Sequence, residues 1–360
     1  MNKNKAILFL GVILLVTVAS TAAVRFALSN DRLPEEPAAE TVAAPEAEPE
    51  PVLDVADYDA RMRRLAHLEP LDPDADPADA EEDPDAPKPL WPVDAAYPNP
   101  GAILPFHRIV AYYGNFYSTG MGVLGQYAPD RVLAMLAEEV RKWEEADPET
   151  PVMPAIDYIA VVAQAGPGRD GRYRARMPDT EIDKALALAE RAGGIVILEV
   201  QPGLADLMGE LRALGKYLSL PQVHLAIDPE FNMKNRGLPG RVVGTVDAAD
   251  INAAAGYLAE LVRENGLPPK VLIVHRYTRA MVTNARSIKP LPEVQIVMDM
   301  DGWGPPSQKF ATYNAFIAPE PVQFTGFKLF YRNDTWGVGR LLTPAEILEL
   351  VPRPSFIQYQ

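Results

Sequence analysis

The residues best suited to chemistry are carboxylates gathered where short apolar runs end. In LAIDPEF, Asp228 and Glu230 stand two apart, and the alternation of a strand would turn both to one face. Asp299 and Asp301 repeat that spacing after VQIVM, and Glu199 sits near the end of IVILEV in phase with Ile197 and Gln201. Several acids in one cleft cannot all ionise freely, so at least one is expected to keep its proton. A protonated acid beside an ionised carboxylate is the equipment for cleaving a glycosidic bond. Glu230, Asp228, Asp299, Asp301 and Glu199 are the candidate catalytic carboxylates. The same region offers Tyr113, Asn115, Tyr117, His275, Arg276, Trp303, Lys328, Trp336 and Gln358 as substrate-binding residues. Aromatic rings there would stack on sugar faces, and Arg276 and Lys328 would neutralise the acids.

Each of these residues also has a plainer role. An Asp at a strand end caps the next turn, and Asp301-Gly302 is itself a turn signal. His275 alone reads more readily as a hydrogen-bonding rim residue than as a base. Other chemistries find less support. No serine stands in a G-x-S-x-G elbow, and the chain has no cysteine, which excludes thiol nucleophiles, disulfides and thiolate metal sites. Gly166-Pro167-Gly168-Arg169 lacks the Lys-Ser/Thr of a phosphate loop. A hard cation could sit among Glu199, Asp228, Glu230 and Asp299, yet no cofactor or metal is required by the expected reaction.

Positioning these groups falls to alternating strands and helices. Strands are expected at 108–113, 155–162, 195–201, 223–228, 270–275, 294–299, 324–330 and 355–359, and helices at 129–146, 179–193, 204–218, 247–265, 305–317 and 343–351. Asp179-Thr180, Asp247 and Thr343-Pro344 are helix starts, and Gly193-Gly194 and Gly266 are stops. Eight β-like runs with mostly helical connectors predict an α/β fold, a (β/α)8 barrel over residues 99–360. A doubly wound open sheet is the competing layout. The connector 277–293 has poor helical periodicity. In a barrel, the groups named above would project from the C-terminal ends of the strands.

With that layout in place, LAIDPEF resembles the Asp-x-Glu strand-four end of barrel glycoside hydrolases, including the Chalaropsis-type lysozymes and, more loosely, the chitinase-like barrels. The resemblance covers this motif and the barrel plan. It implies that Glu230 is the general acid and that Asp228 assists it. The chain departs from those families in lacking the longer acid series of chitinases and, in IVAYYGNFY, the early aspartate of the lysozymes.

The N-terminal part speaks to location. Lys3 and Lys5 precede the uncharged run 6–24, and Arg25 closes it. Its length is near the ~20 residues that cross a bilayer as a helix. Residues 1–29 are therefore expected to be a membrane anchor, or a signal peptide cut near Ala19–Ala23. Residues 30–98 alternate Pro, Ala, Glu and Asp, a composition that opposes collapse, and are expected to form an unpacked linker with at most an isolated helical turn or two over Tyr58–Leu68. Within it, Asp72, Asp74 and Asp76 superficially match a calcium loop, but Pro77 stands where the turn glycine belongs. The net charge of −15 is carried by this linker, leaving a nearly neutral domain. Nucleic acid is thus disfavoured as a partner, since phosphate recognition needs clustered Lys and Arg. The sequence reading is an extracytoplasmic, membrane-attached glycoside hydrolase acting on a cell-envelope or environmental glycan. The second reading is a non-catalytic glycan-binding or envelope-organising barrel.

Overall fold

Eight runs rich in Val, Ile, Leu and Tyr build one closed parallel sheet. They are β1 Arg108–Gly114, β2 Val152–Ala163, β3 Ile195–Val200, β4 Val223–Ile227, β5 Lys270–Arg276, β6 Val294–Met300, β7 Phe324–Leu329 and β8 Phe356–Tyr359. This is a computed structural model, and it describes residues 52–69 and 89–360 apart from 235 and 236. Neighbouring strands pair in order, and β8 returns to β1 in the register Ile109↔Phe356 to Tyr112↔Tyr359. That last pairing closes the barrel and excludes the open sheet.

α1 Val55–Leu65 lies at the lower end of the barrel, and helices cover the outside: α2 Pro129–Ala146, α3 Asp179–Arg191, α4 Leu207–Ala213, α5 Ala248–Asn265, α6 Pro306–Phe316 and α7 Pro344–Leu348. Capping boxes start α5 (Asp247 with Asp250) and α7 (Thr343 with Glu346), and Gly266 in the left-handed region ends α5. The expected helix 204–218 breaks at Leu214 into α4 and a short turn, Gly215–Leu218. After β5 the weak periodicity of 277–293 gives two 3-10 turns and a small bridge, Val282–Thr283 against Val246–Asp247.

Strand alternation divides the side chains cleanly. Val110, Tyr112, Ile156, Leu198, Leu225, Ile227, Leu272 and Ile296 face the helices. Inside, the lower half is apolar: Ile109, Ala111, Ala155, Ile197, Ala226, Ile273, Val297, Phe324 and Phe356. Above it the inward positions turn polar, with Asp157, Glu199, His275, Asp299, Lys328 and Gln358 all buried. Gly326 is needed where it stands, because a Cβ there would collide with Asp299 Oδ1.

The linker expectation for 30–98 fails where the structure describes it. α1 packs Tyr58 and Met62 onto the lower, apolar end of the barrel interior, together with Leu104. Tyr58 meets Tyr97 edge to face at 5.5 Å, and Arg64 pairs with Asp147 and, at 3.0 Å, with Glu149. Tyr58, Met62 and Leu65 have helical spacing, so a short apolar stripe was present inside an acidic, proline-rich neighbourhood. The indole of Trp91, also buried, donates to Ala318 O at 2.8 Å. The domain therefore begins before residue 99. Residues 1–51 and 70–88, with the proposed anchor and the aspartate run, lie outside the described residues. Among the described residues no helix is long and apolar enough to cross a membrane.

Candidate active site

A cavity of about 540 Å³ opens at the C-terminal ends of the strands. Asp228, Glu230 and Asp301 line it, with Tyr113, Gln201, Tyr277, Trp303, Lys328 and Phe330. Three of the five predicted acids thus reach the mouth. The route taken by Glu230 differs from the one expected. β4 ends at Ile227, and Asp228 caps a 3-10 turn, Pro229–Phe231, by accepting from Glu230 N at 2.9 Å. The turn, rather than strand alternation, delivers Glu230. Asp228 both caps and lines the cavity.

Glu199 and Asp299 lie deeper. His275 sits between them, its Nδ1 2.9 Å from Asp299 Oδ2 and its Nε2 3.0 Å from Glu199 Oε2. Glu199 Oε1 also accepts from Tyr113 Oη at 3.0 Å and Gln201 Nε2 at 3.0 Å. Gln201 Nε2 lies 3.3 Å from Asp228 Oδ2 as well. Lys328 Nζ pairs with Asp301 Oδ1 at 3.1 Å and lies 3.9 Å from the centre of the Tyr113 ring. At the base of this layer Gln358 Nε2 donates to Asp157 Oδ2 at 2.6 Å.

The electrostatics separate the acids. Burial, and then the neighbouring Glu199 charge, push Asp157 and Asp228 well above the usual carboxylate range. Burial raises Asp299 too, although His275 opposes it. For Glu199 burial also acts upward, but the His275 charge and hydrogen bond, with Lys328 and Tyr113, outweigh it and hold the carboxyl below its ordinary value. His275 is the complement: burial lowers it, yet the surrounding acids, Glu199 foremost, raise it well above a free imidazole. Glu230 is raised by burial and by the Asp301 charge, and partly restrained by the Tyr277 hydroxyl and Lys328. It is the acid that combines a raised pKa with incomplete burial at the cavity wall.

The expected binding residues divide. Tyr113, Trp303 and Lys328 line the cavity, and Trp303 is 51% exposed. His275 and Gln358 belong to the buried layer below it. Arg276, one residue out of phase with His275, points away from the interior. It donates to Thr278 O and Arg279 O and pairs with Glu320 at 2.7 Å. Asn115 is buried and holds its own loop, donating to Ile159 O and accepting from Tyr117 N. Tyr117 and Trp336 are 65% and 79% exposed and do not line the cavity. Asp157, Gln201, Tyr277 and Phe330 stand on strands or at their ends in the sequence, but nothing in it gave them a role in the site. The signal for Asp157 was its inward phase with Ala155. Because β2 begins at Val152 rather than at the expected residue 155, Asp157 stands well up the strand.

One buried pair fixes the rim. Lys309 Nζ pairs with Asp334 at 2.9 Å and donates to Gly302 O and Lys328 O. Asp334 in turn accepts from Gly304 N and Phe330 N. The loops carrying Trp303 and Phe330 are thereby tied together. Replacing Lys309 with Met strands a buried carboxylate, an expected loss of about 3 kcal/mol. Thermal unfolding, with tryptophan fluorescence as a report on Trp303, checks it.

No protein-family model matches the chain, and no curated protein matches it in sequence. Solved structures with a similar course include a Bacillus subtilis mannanase (11% identity, TM-score 0.36, covering 71% of this chain and 79% of that one). A GH18 chitinase from Pseudoalteromonas aurantia (11%, 0.34, 70% and 93%) and a sugar phosphate isomerase/epimerase from Parabacteroides distasonis (10%, 0.32, 70% and 86%) are others. The resemblance to glycoside hydrolases is distant and lies in the barrel; the closed strand pairing stands independently of it.

Proposed function

We propose that this protein hydrolyses glycosidic bonds of a glycan laid across the cavity. The observation that carries the reading is Glu230: a carboxyl held above its usual pKa by burial and by Asp301, yet open to the cavity. In the reaction Glu230 gives its proton to the glycosidic oxygen as the bond to the anomeric carbon breaks. Asp301, paired with Lys328, is the second carboxylate, stabilising the developing positive charge or accepting the proton of the attacking water. Asp228 caps the turn that presents Glu230. Trp303, Tyr277 and Phe330 supply ring faces for sugars. The cationic start and apolar run at the N-terminus support export, so the glycan would be one met outside the cytoplasm, in the envelope or the surroundings.

Glu230→Gln keeps the shape of the turn and removes the proton donor. It is expected to abolish release of reducing ends from a responsive glycan while leaving the unfolding transition in place. Undiminished turnover in that variant would rule out the assignment. The ion pair on Asp301 and the engagement of Glu199 and Asp299 with His275 favour the second reading, a glycan-binding barrel without turnover. In that case both the parent and Glu230→Gln would bind glycan and neither would cleave it.

A further inference from the structure

We propose that Asp157, Glu199 and His275 bind a divalent cation inside the barrel, beneath the cavity floor. One donor atom from each lies within 4.8 Å of the other two. Metal bonds of about 2.1 Å place neighbouring donor atoms about 3.0 Å apart at octahedral angles and about 3.4 Å apart at tetrahedral ones; His275 Nε2 and Glu199 Oε2 are 3.0 Å apart, hydrogen-bonded to each other as they stand. Asp157 supplies the independent observation. It is fully buried, one oxygen is held by Gln358, and Oδ1 has no hydrogen-bond partner. A buried acceptor left without a donor is costly, and a cation removes that cost.

The neighbours suit such a site. Asp299 faces His275 Nδ1 at 2.9 Å, which fixes the ring with Nε2 directed at the ion. Tyr113 and Gln201 donate to Glu199 Oε1, and the metal would replace the His275 hydrogen bond on Oε2. Six carboxyls share this end of the barrel with Lys328 and His275, so a bound cation would displace protons that Asp157 and His275 otherwise hold. One imidazole with two carboxylates suits Zn²⁺ or Mn²⁺ better than Mg²⁺ or Ca²⁺. Because ligands bind in their deprotonated forms, the ion competes with protons at this site and its hold tightens as pH rises.

The test uses the full chain, stripped with chelator and then given Zn²⁺, Mn²⁺, Mg²⁺ or Ca²⁺ alone. Metal content after desalting is measured by mass spectrometry, beside the melting temperature. One equivalent of Zn²⁺ or Mn²⁺ is expected to stay bound at about pH 7.5, with a raised melting temperature, and to be lost near pH 5.5. Asp157→Asn keeps the size of the side chain and its pairing with Gln358, and should lower retention by about tenfold or more. His275→Gln is the second variant and should do the same. Substoichiometric retention by the parent chain, or unchanged retention in both variants, overturns the proposal and leaves a proton-sharing network in place of a metal site. Metal content is read without substrate, so this result is separate from the outcome for Glu230.

Discussion

Changing Tyr58 and Met62 together to alanine in the full chain is expected to lower its melting temperature by about 10 °C or more. Both side chains are buried against the inward-facing apolar residues at the lower end of the barrel. Truncating a buried aromatic or methionine costs about 2–5 kcal/mol each, partly from lost transfer energy and partly from the cavity left behind. A linker reading gives the opposite result, since residues without native contacts leave stability untouched. Differential scanning calorimetry of the parent and the double variant decides it. Coincident transitions would mean that α1 does not close the barrel in solution.

The second large effect is a fall in stability as pH rises from 6.5 to 8, measured in chelator so that bound metal does not contribute. Asp157 and Asp228 have native pKa values well above their unfolded ones, as does His275. Each binds a proton more tightly in the native state, so its contribution is full below its unfolded pKa and is lost as pH climbs through its native one. Two groups set the limits of the window. Burial drops His224 from 6.5 to about 3, which destabilises the fold only below pH 6.5. Burial likewise drops Lys270 to about 8, so above that pH its loss of a native proton stabilises the fold. Between those limits each proton that the native state holds and the unfolded chain lacks costs at most about 1.4 kcal/mol per pH unit. Asp228→Asn should flatten the slope and be the more stable protein at pH 8. A melting temperature that is level or rising across this range would refute the buried-proton account.

Much of this architecture could be read from the residues because apolar runs and helix caps are local. Each expected strand lies on an observed one, and α2 runs over 129–146 as its periodicity required. What escaped depends on contacts far along the chain. α1 is short and set among acids and prolines, and only the barrel end gives its stripe something to cover. The acids at the mouth were visible as types and spacing, yet Glu230 arrives by a 3-10 turn that no alternation rule describes. Arg276 was misplaced although its phase was legible, since His275 points inward and the next residue cannot. Trp336 and Tyr117 stand on loops beyond the strands, where no register rule sets their direction.

The contacts of α1 also bear on the order in which the chain can fold as it is made. Leu65 O accepts from Arg353 N, and the His67 ring lies 3.2 Å from Leu348 O. β1 likewise has β8 as one of its two partners. A helix translated among the first 70 residues meets Tyr97, Leu104 and Asp147 earlier, but its packing is complete only when residues near 350 have left the ribosome. Its eleven residues are too few to hold helical shape alone in water. The first described element to be synthesised is then among the last to settle. Stalled or C-terminally shortened chains would expose Tyr58, Met62 and the open edge of β1 together, a combination that invites aggregation and capture by chaperones.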